Sequence, residues 1–147
     1  MVDSAGDVVV EGDNEGVDTV RSSISYTLGT TLENLVLTGN GAINGTGNAL
    51  NNVLTGNGAA NVLDGDLGAD AMAGGGGDDL YFLNDAGDTV SEESGQGNDT
   101  VRSTISLTLA ANVENLELQG TSNLTGTGNA LANRIAVSYT HLRAHET

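Results

Sequence analysis

From Gly47 the chain advances in nines: GNALNNVLT, GNGAANVLD, GDLGADAMA, GGGGDDLYF. The first place is always Gly (Gly47, Gly56, Gly65, Gly74) and the sixth is Asn or Asp (Asn52, Asn61, Asp70, Asp79). The eighth is always large and apolar (Leu54, Leu63, Met72, Tyr81). Such a period leaves little choice of architecture, because short repeats bury a core only by stacking on their neighbours. Glycines early in a nonad allow positive φ and a tight turn. The last three residues suit a short strand whose middle, apolar member points inward. Each nonad is thus half loop and half strand, and two nonads complete one turn of a flattened spiral. Residues two nonads apart should then lie above one another. This places Asp70 between Asn52 and Asp88 on one edge and Asp79 over Asn61 on the other, with Met72 on Leu54 and Tyr81 on Leu63.

Weaker nonads flank this run. SGQGNDTVR keeps Gly95, Gly97, Asp99 and Val101; DNEGVDTVR keeps Gly16, Asp18 and Val20; LNDAGDTVS keeps Asp88 and Val90. All of them lie inside a longer repeat. With Ala5 laid on Ala86, the two stretches that follow match without a gap, at 27 of 50 positions. The chain holds a little under two such long units, which predicts a fragment of a longer array. The match ends at Ile135. The remainder, AVSYTHLRAHET, has no Gly and holds His141 and His145, so residues 136–147 read as a non-native or disordered tail. Residues 1–46 and 103–135 are the strand-rich parts of the two units, and residues 47–102 hold the nonads.

Outside the nonads, residues 19–28 alternate, with Val20, Ile24, Tyr26 and Leu28 on one side of a half-buried strand. Leu35 and Leu37 mark another, and Val101, Ile105, Leu107, Leu109, Leu116 and Leu118 repeat the arrangement. Nothing has convincing helical spacing, although TTLENL could form one turn. Arg21 and Arg102 recur at equivalent places and suit an ion pair or stacking on the roll.

Composition narrows the partners. Twenty acidic residues face four basic ones, for a net charge of −16. That excludes a phosphate backbone, which needs Lys and Arg, and an anionic membrane surface. The partner that such a chain attracts is a cation; the competing reading is a self-repelling disordered segment. No Cys means no thiolate site, and no apolar run is long enough to span a membrane. The N-terminal MVDSAGDVVVEGD has neither the basic nor the apolar region of a signal peptide. The repeats hold no GxSxG, P-loop or HExxH, and neither His nor Cys, so the repeats themselves are not read as an enzyme. The stretch from Asp64 has an EF-hand-like beginning, but Gly75 stands where the closing Glu belongs.

Calcium takes six to eight oxygens from carboxylates and backbone carbonyls, and a glycine loop with Asp at its sixth place offers both. The nonads match G-G-x-G-x-D-x-U-x, so the chain resembles the RTX, or haemolysin-type calcium-binding, repeat proteins. The resemblance implies an all-β, right-handed parallel β-roll that orders on Ca2+, exported by type I secretion machinery to the medium or the bacterial cell surface. It implies calcium at Asp70 and Asp79, with Asp88, Asp99 and the loop glycines Gly65, Gly68, Gly74 and Gly77 contributing. The first two nonads depart from the pattern. Leu50 and Ala59 replace the fourth-place glycine, and Asn52 and Asn61 supply an oxygen without a charge. Those asparagines could instead stack and hydrogen-bond as a ladder. Two functions therefore stand side by side: a calcium-triggered folding module of a larger protein, and a calcium-independent spacer or adhesion repeat of a giant surface adhesin. In either case neighbouring repeats of the parent chain are partners.

Overall fold

The computed structural model describes residues 1–120 and 123–138; most of the tail, residues 139–147, lies outside them. Fourteen short strands, numbered in chain order, form parallel sheets, and no helix occurs among the described residues. One sheet has five strands: β1 (Thr19–Ser22), β3 (Asn34–Leu37), β5 (Val53–Thr55), β7 (Ala71–Ala73) and β9 (Thr89–Val90). A seven-stranded sheet contains β2 (Tyr26–Thr27), β4 (Gly45–Thr46), β6 (Val62–Asp64), β8 (Leu80–Leu83), β10 (Thr100–Ser103), β12 (Asn115–Gln119) and β14 (Arg134–Ser138). A third pair, β11 (Leu107–Thr108) and β13 (Gly126–Thr127), forms a sheet of its own. The chain alternates between sheets, so each full turn adds one strand to each face. This is an all-β parallel solenoid of the β-roll kind.

The eighth-place residues make its interior. Leu54, Leu63, Met72 and Tyr81 are all buried, together with Leu35, Val101 and Leu116. Leu35, Leu54, Met72 and Val90 stand in register on one sheet, and Gly45, Leu63, Tyr81, Val101, Leu116 and Ile135 on the other. Places seven and nine face outward or lie half-buried, as Val53 and Thr55 do. The interior is only one side chain deep from each sheet. At Gly45 a Cβ would come within 2.9 Å of Leu35 Cδ2, so the facing leucine occupies the space that a side chain would need.

Through the nonads each stack steps as expected, from Leu54 to Met72 and from Leu63 to Tyr81, two nonads at a time. Elsewhere the step changes. It is shorter from Val20 to Leu35 and from Val101 to Leu116. It is longer from Leu35 to Leu54, from Leu116 to Ile135 and, most of all, from Tyr81 to Val101. From Val20, four turns carry the stack to Val90, and half a turn more reaches Val101, the residue equivalent to Val20. The long unit therefore spans four and a half turns. Its two copies of TVRS, β1 and β10, lie in different sheets.

One expected strand is broken. Residues 19–28 form β1 and β2, which lie in different sheets, with a corner between them. Ser22 makes that corner: its buried hydroxyl donates to Ile24 O (2.7 Å) and accepts from Ile24 N (3.2 Å). Such local side-chain bonds compete with the sheet ladder and turn the backbone. Ser103 does the same at Ile105. The alternation was real, but it belonged to two strands. Arg102 pairs with Glu117 at 2.8 Å and stacks on Phe82. Arg21 has Val36 at the place of Glu117 in its own unit, beside it in the sheet. At the C-terminal end β14 pairs with β12 through Ser138, just past the last position of the repeat match.

Candidate cation-binding turns

The sixth-place residues stack on the two edges, linked by one recurring bond. A backbone N–H donates to the side chain of the sixth-place residue one turn on. On one edge Asn52 N donates to Asp70 Oδ1 (2.7 Å), and Asp70 N to Asp88 Oδ1 (3.0 Å). On the other, Asn61 N donates to Asp79 Oδ1 (2.8 Å) and Asp79 N to Asp99 Oδ1 (2.8 Å), and beyond the nonads Asp99 N donates to Glu114 Oε2 (2.8 Å). The strands on either side fix this register, and the ladder satisfies N–H groups that the loops would otherwise bury unpaired.

The turns divide into two chemical kinds. In the first kind Asn stands at both the second and the sixth place. Asn52 Oδ1 accepts from Asn48 N (2.7 Å), and Asn52 Nδ2 donates to Asn48 Oδ1, Leu32 O and Glu33 O. Asn48 in turn donates to Gly29 O and Leu32 O. Asn57 with Asn61, and Asn129 with Asn133, repeat the pairing. These amides tie one turn to the next through neutral hydrogen bonds, so Asn52 and Asn61 act as cross-turn struts. Asn52→Asp would set a buried carboxylate against three acceptor oxygens. In calcium-free buffer this variant should lose about 2–4 kcal/mol, read as a lower urea midpoint.

In the second kind the carboxylates keep a free oxygen. Asp70 is 1 % exposed and Asp79 2 %, yet Oδ2 of each has no hydrogen-bond partner. Both atoms lie over the first-place glycines: a Cβ at Gly65 would collide with Asp70 Oδ2, and one at Gly74 with Asp79 Oδ2. The fourth-place glycines press on the turn below. Gly68 (φ 101°) and Gly77 (φ 95°) would each bring a Cβ within 2.6 Å of the backbone at Leu50 and Ala59. Burial pushes both carboxyls up to about 6, against the pull of the N–H bonds from Asn52 and Asn61, and the neighbouring acids Asp88 and Asp99 add to the rise.

Other expected site residues fare differently. Both oxygens of Asp88 are occupied, Oδ1 by Asp70 N and Oδ2 by Asn84 N and Asp85 N of the turn just before it. Asp99 is buried, its carboxyl is raised by burial, and it lies beside Asp79 and Glu92. The nonad pattern does not point to Glu92, to Glu114 or to the second-place asparagines. Two other signals in the chain do. Glu92 and Glu114 each recur in the first long unit, as Glu11 and Glu33, and G-N-x-x-x-N marks every amide turn.

The molecule is therefore a repeat β-solenoid with two acidic edges. Among known proteins, a segment of the endo-1,3-1,4-beta-glycanase ExsH of Rhizobium meliloti (strain 1021) is 45 % identical over 49 residues. The match covers 33 % of this chain and 10 % of the glycanase, so this chain spans only a small part of that relative. No protein-family model matches the chain, and no solved structure matches it. No helix among the described residues is long and apolar enough to cross a membrane.

Proposed function

We propose that this chain is a calcium-binding module of a larger exported protein, in which the carboxylate turns order on calcium and the amide turns do not need it. The observation that carries this reading is the pair of buried, partnerless oxygens on Asp70 and Asp79. A buried carboxylate oxygen without a donor is costly. Among the described residues no Lys or Arg bridges to either group to offset that cost. A hard dication on each edge would, with loop carbonyls completing the oxygen set. Asp70, Asp79 and the glycine loops are the residues that would hold it. The glycanase match fits a repeat embedded in a much longer chain.

The magnitudes suit a ladder rather than a single site. Extracellular calcium modules bind with Kd of roughly 0.1–1 mM. At about 1 mM calcium, one such site contributes only about 0.4–1.4 kcal/mol by linkage. Several coupled sites are needed to tip a folding equilibrium between a low-calcium cytosol and a calcium-rich exterior. Export through a type I channel in an unfolded form would use that difference.

The amide turns give the spacer reading its own support, since they close without any charge. The two readings thus describe different turns of one roll. Circular dichroism during a calcium titration tests this. Some β signal should exist without metal, and it should grow cooperatively up to millimolar calcium. A spectrum unchanged up to about 10 mM calcium would leave only the spacer.

A further inference from the structure

The edge that carries Asp79 holds a second group of acids whose spacing is that of the long unit. Where the chain crosses from β9 to β10, Glu92 turns inward and meets Asp79 and Asp99. One carboxylate oxygen from each of the three lies within 4.8 Å of the others. All are buried, with exposures of 2 % for Asp79, 8 % for Glu92 and 1 % for Asp99. Glu92 Oε2, like Asp79 Oδ2, has no hydrogen-bond partner. Glu92 Oε1 accepts from the hydroxyl of the core residue Tyr81, which itself accepts from Gly74 N at 2.6 Å. Glu114 closes the side away from Asp79 through its bond to Asp99 N.

The first unit has a related but more open group. Glu11, Asp18 and Glu33 bring three carboxylate oxygens within 4.8 Å of one another, with Glu33, the equivalent of Glu114, as the third member in place of Asp79, and all three are only half-buried. The supports correspond too. Asp18 N donates to Glu33 Oε2 (3.0 Å) as Asp99 N does to Glu114. Thr31 Oγ1 holds the Glu11 carbonyl (3.3 Å) as Asn112 Nδ2 holds that of Glu92 (2.9 Å). Glu11 Oε2 also lacks a partner, but only the group that includes Asp79 is buried throughout.

We propose that Glu92, Asp99 and Asp79, flanked by Glu114, form a divalent-cation site belonging to the long unit. It differs from a nonad turn in drawing a glutamate from a different segment and in containing no amide ligand. Calcium takes six to eight oxygens in a flexible geometry, which suits carboxylates from separate segments better than the near-ideal octahedron that magnesium demands. The site shares Asp79 with the nonad ladder, so it deepens the calcium reading, but its existence depends on Glu92, which that reading does not use.

Terbium, a luminescent stand-in for calcium, tests it on the full chain, because Tyr81 can sensitise an ion held by Glu92. Tyrosine-excited emission should appear on adding Tb3+ and be displaced by calcium. Glu92→Gln should weaken that emission's half-saturation by about tenfold or more, as expected when a site loses one of its charged ligands, while Glu93→Gln, at its exposed neighbour in sequence, should leave it unchanged. In the absence of metal, Glu92→Gln should raise the unfolding midpoint, which also shows that the variant folds. Unaltered emission in Glu92→Gln, with calcium still inducing β signal, would overturn the long-unit site and spare the nonad reading. No metal response of any kind in the unaltered chain would overturn both.

Discussion

Asparagine at both Asp70 and Asp79 should uncouple the central turns from calcium. Each new amide keeps an oxygen to accept from Asn52 N or Asn61 N, the bonds now made by Asp70 and Asp79 Oδ1. It removes the buried negative charge that has no donor. The double variant should therefore reach, without metal, the β signal that the unaltered chain reaches only with it. Its metal-free stability should rise on the order of 3 kcal/mol per site, because burial lifts each carboxyl from 3.8 to about 6 and a tenfold change in acidity corresponds to about 1.4 kcal/mol. The alanine pair is the contrasting control. It deletes the acceptors as well as the charges, so the central turns should neither order on calcium nor gain order in its absence. Urea midpoints with and without calcium decide the matter, and a D70N/D79N chain that still needs calcium to fold would remove these two residues from the switch.

Acid should imitate the metal. In the folded, cation-free chain Asp70 and Asp79 titrate at about 6 and Glu92 at about 7, each raised first by burial. In the unfolded chain such groups titrate at about 4. Between these values the folded form binds more protons, so the stability these groups contribute is fully present below about pH 4 and is lost as pH rises through about 6 to 7. Lowering the pH from 7.5 to 5 without calcium should raise the thermal midpoint. Saturating calcium should reverse the slope, because bound carboxylates must ionise and protons then compete with the ion. Thermal melts at the two pH values, with and without millimolar calcium, give the sign directly; equal slopes in both conditions would contradict the metal assignment.

Most of the architecture was legible in the residues. The nonad period gave the turn, the inward eighth place and the stacks of Leu54 on Met72 and Leu63 on Tyr81. The corner at Ser22 was not legible, since Val20, Ile24, Tyr26 and Leu28 alternate as they would in one strand and only the hydroxyl's bonds to Ile24 bend the chain. The division of the turns was half visible. Asn52 and Asn61 stood out as weak ligands, but the decisive partners are Asn48 and Asn57, a few positions upstream and unremarkable by composition. Glu92 escaped for a different reason. It does not occupy a sixth place, and its role arises only where the long turn from Tyr81 to Val101 carries it back onto Asp79 and Asp99.

The half turn left over by each unit has a mechanical consequence. Because β1 and β10 lie in different sheets, each unit in a filament would present to one side what the next presents to the other. Any bend set by one unit would be countered by the next, so the filament would run straight over any even number of them. Its true axial period would be two units, or nine turns, about 43 Å at the usual spacing of neighbouring strands. Electron microscopy of a multi-unit chain should show that period without net curvature, and a rod that curls steadily would contradict the half-turn offset between units.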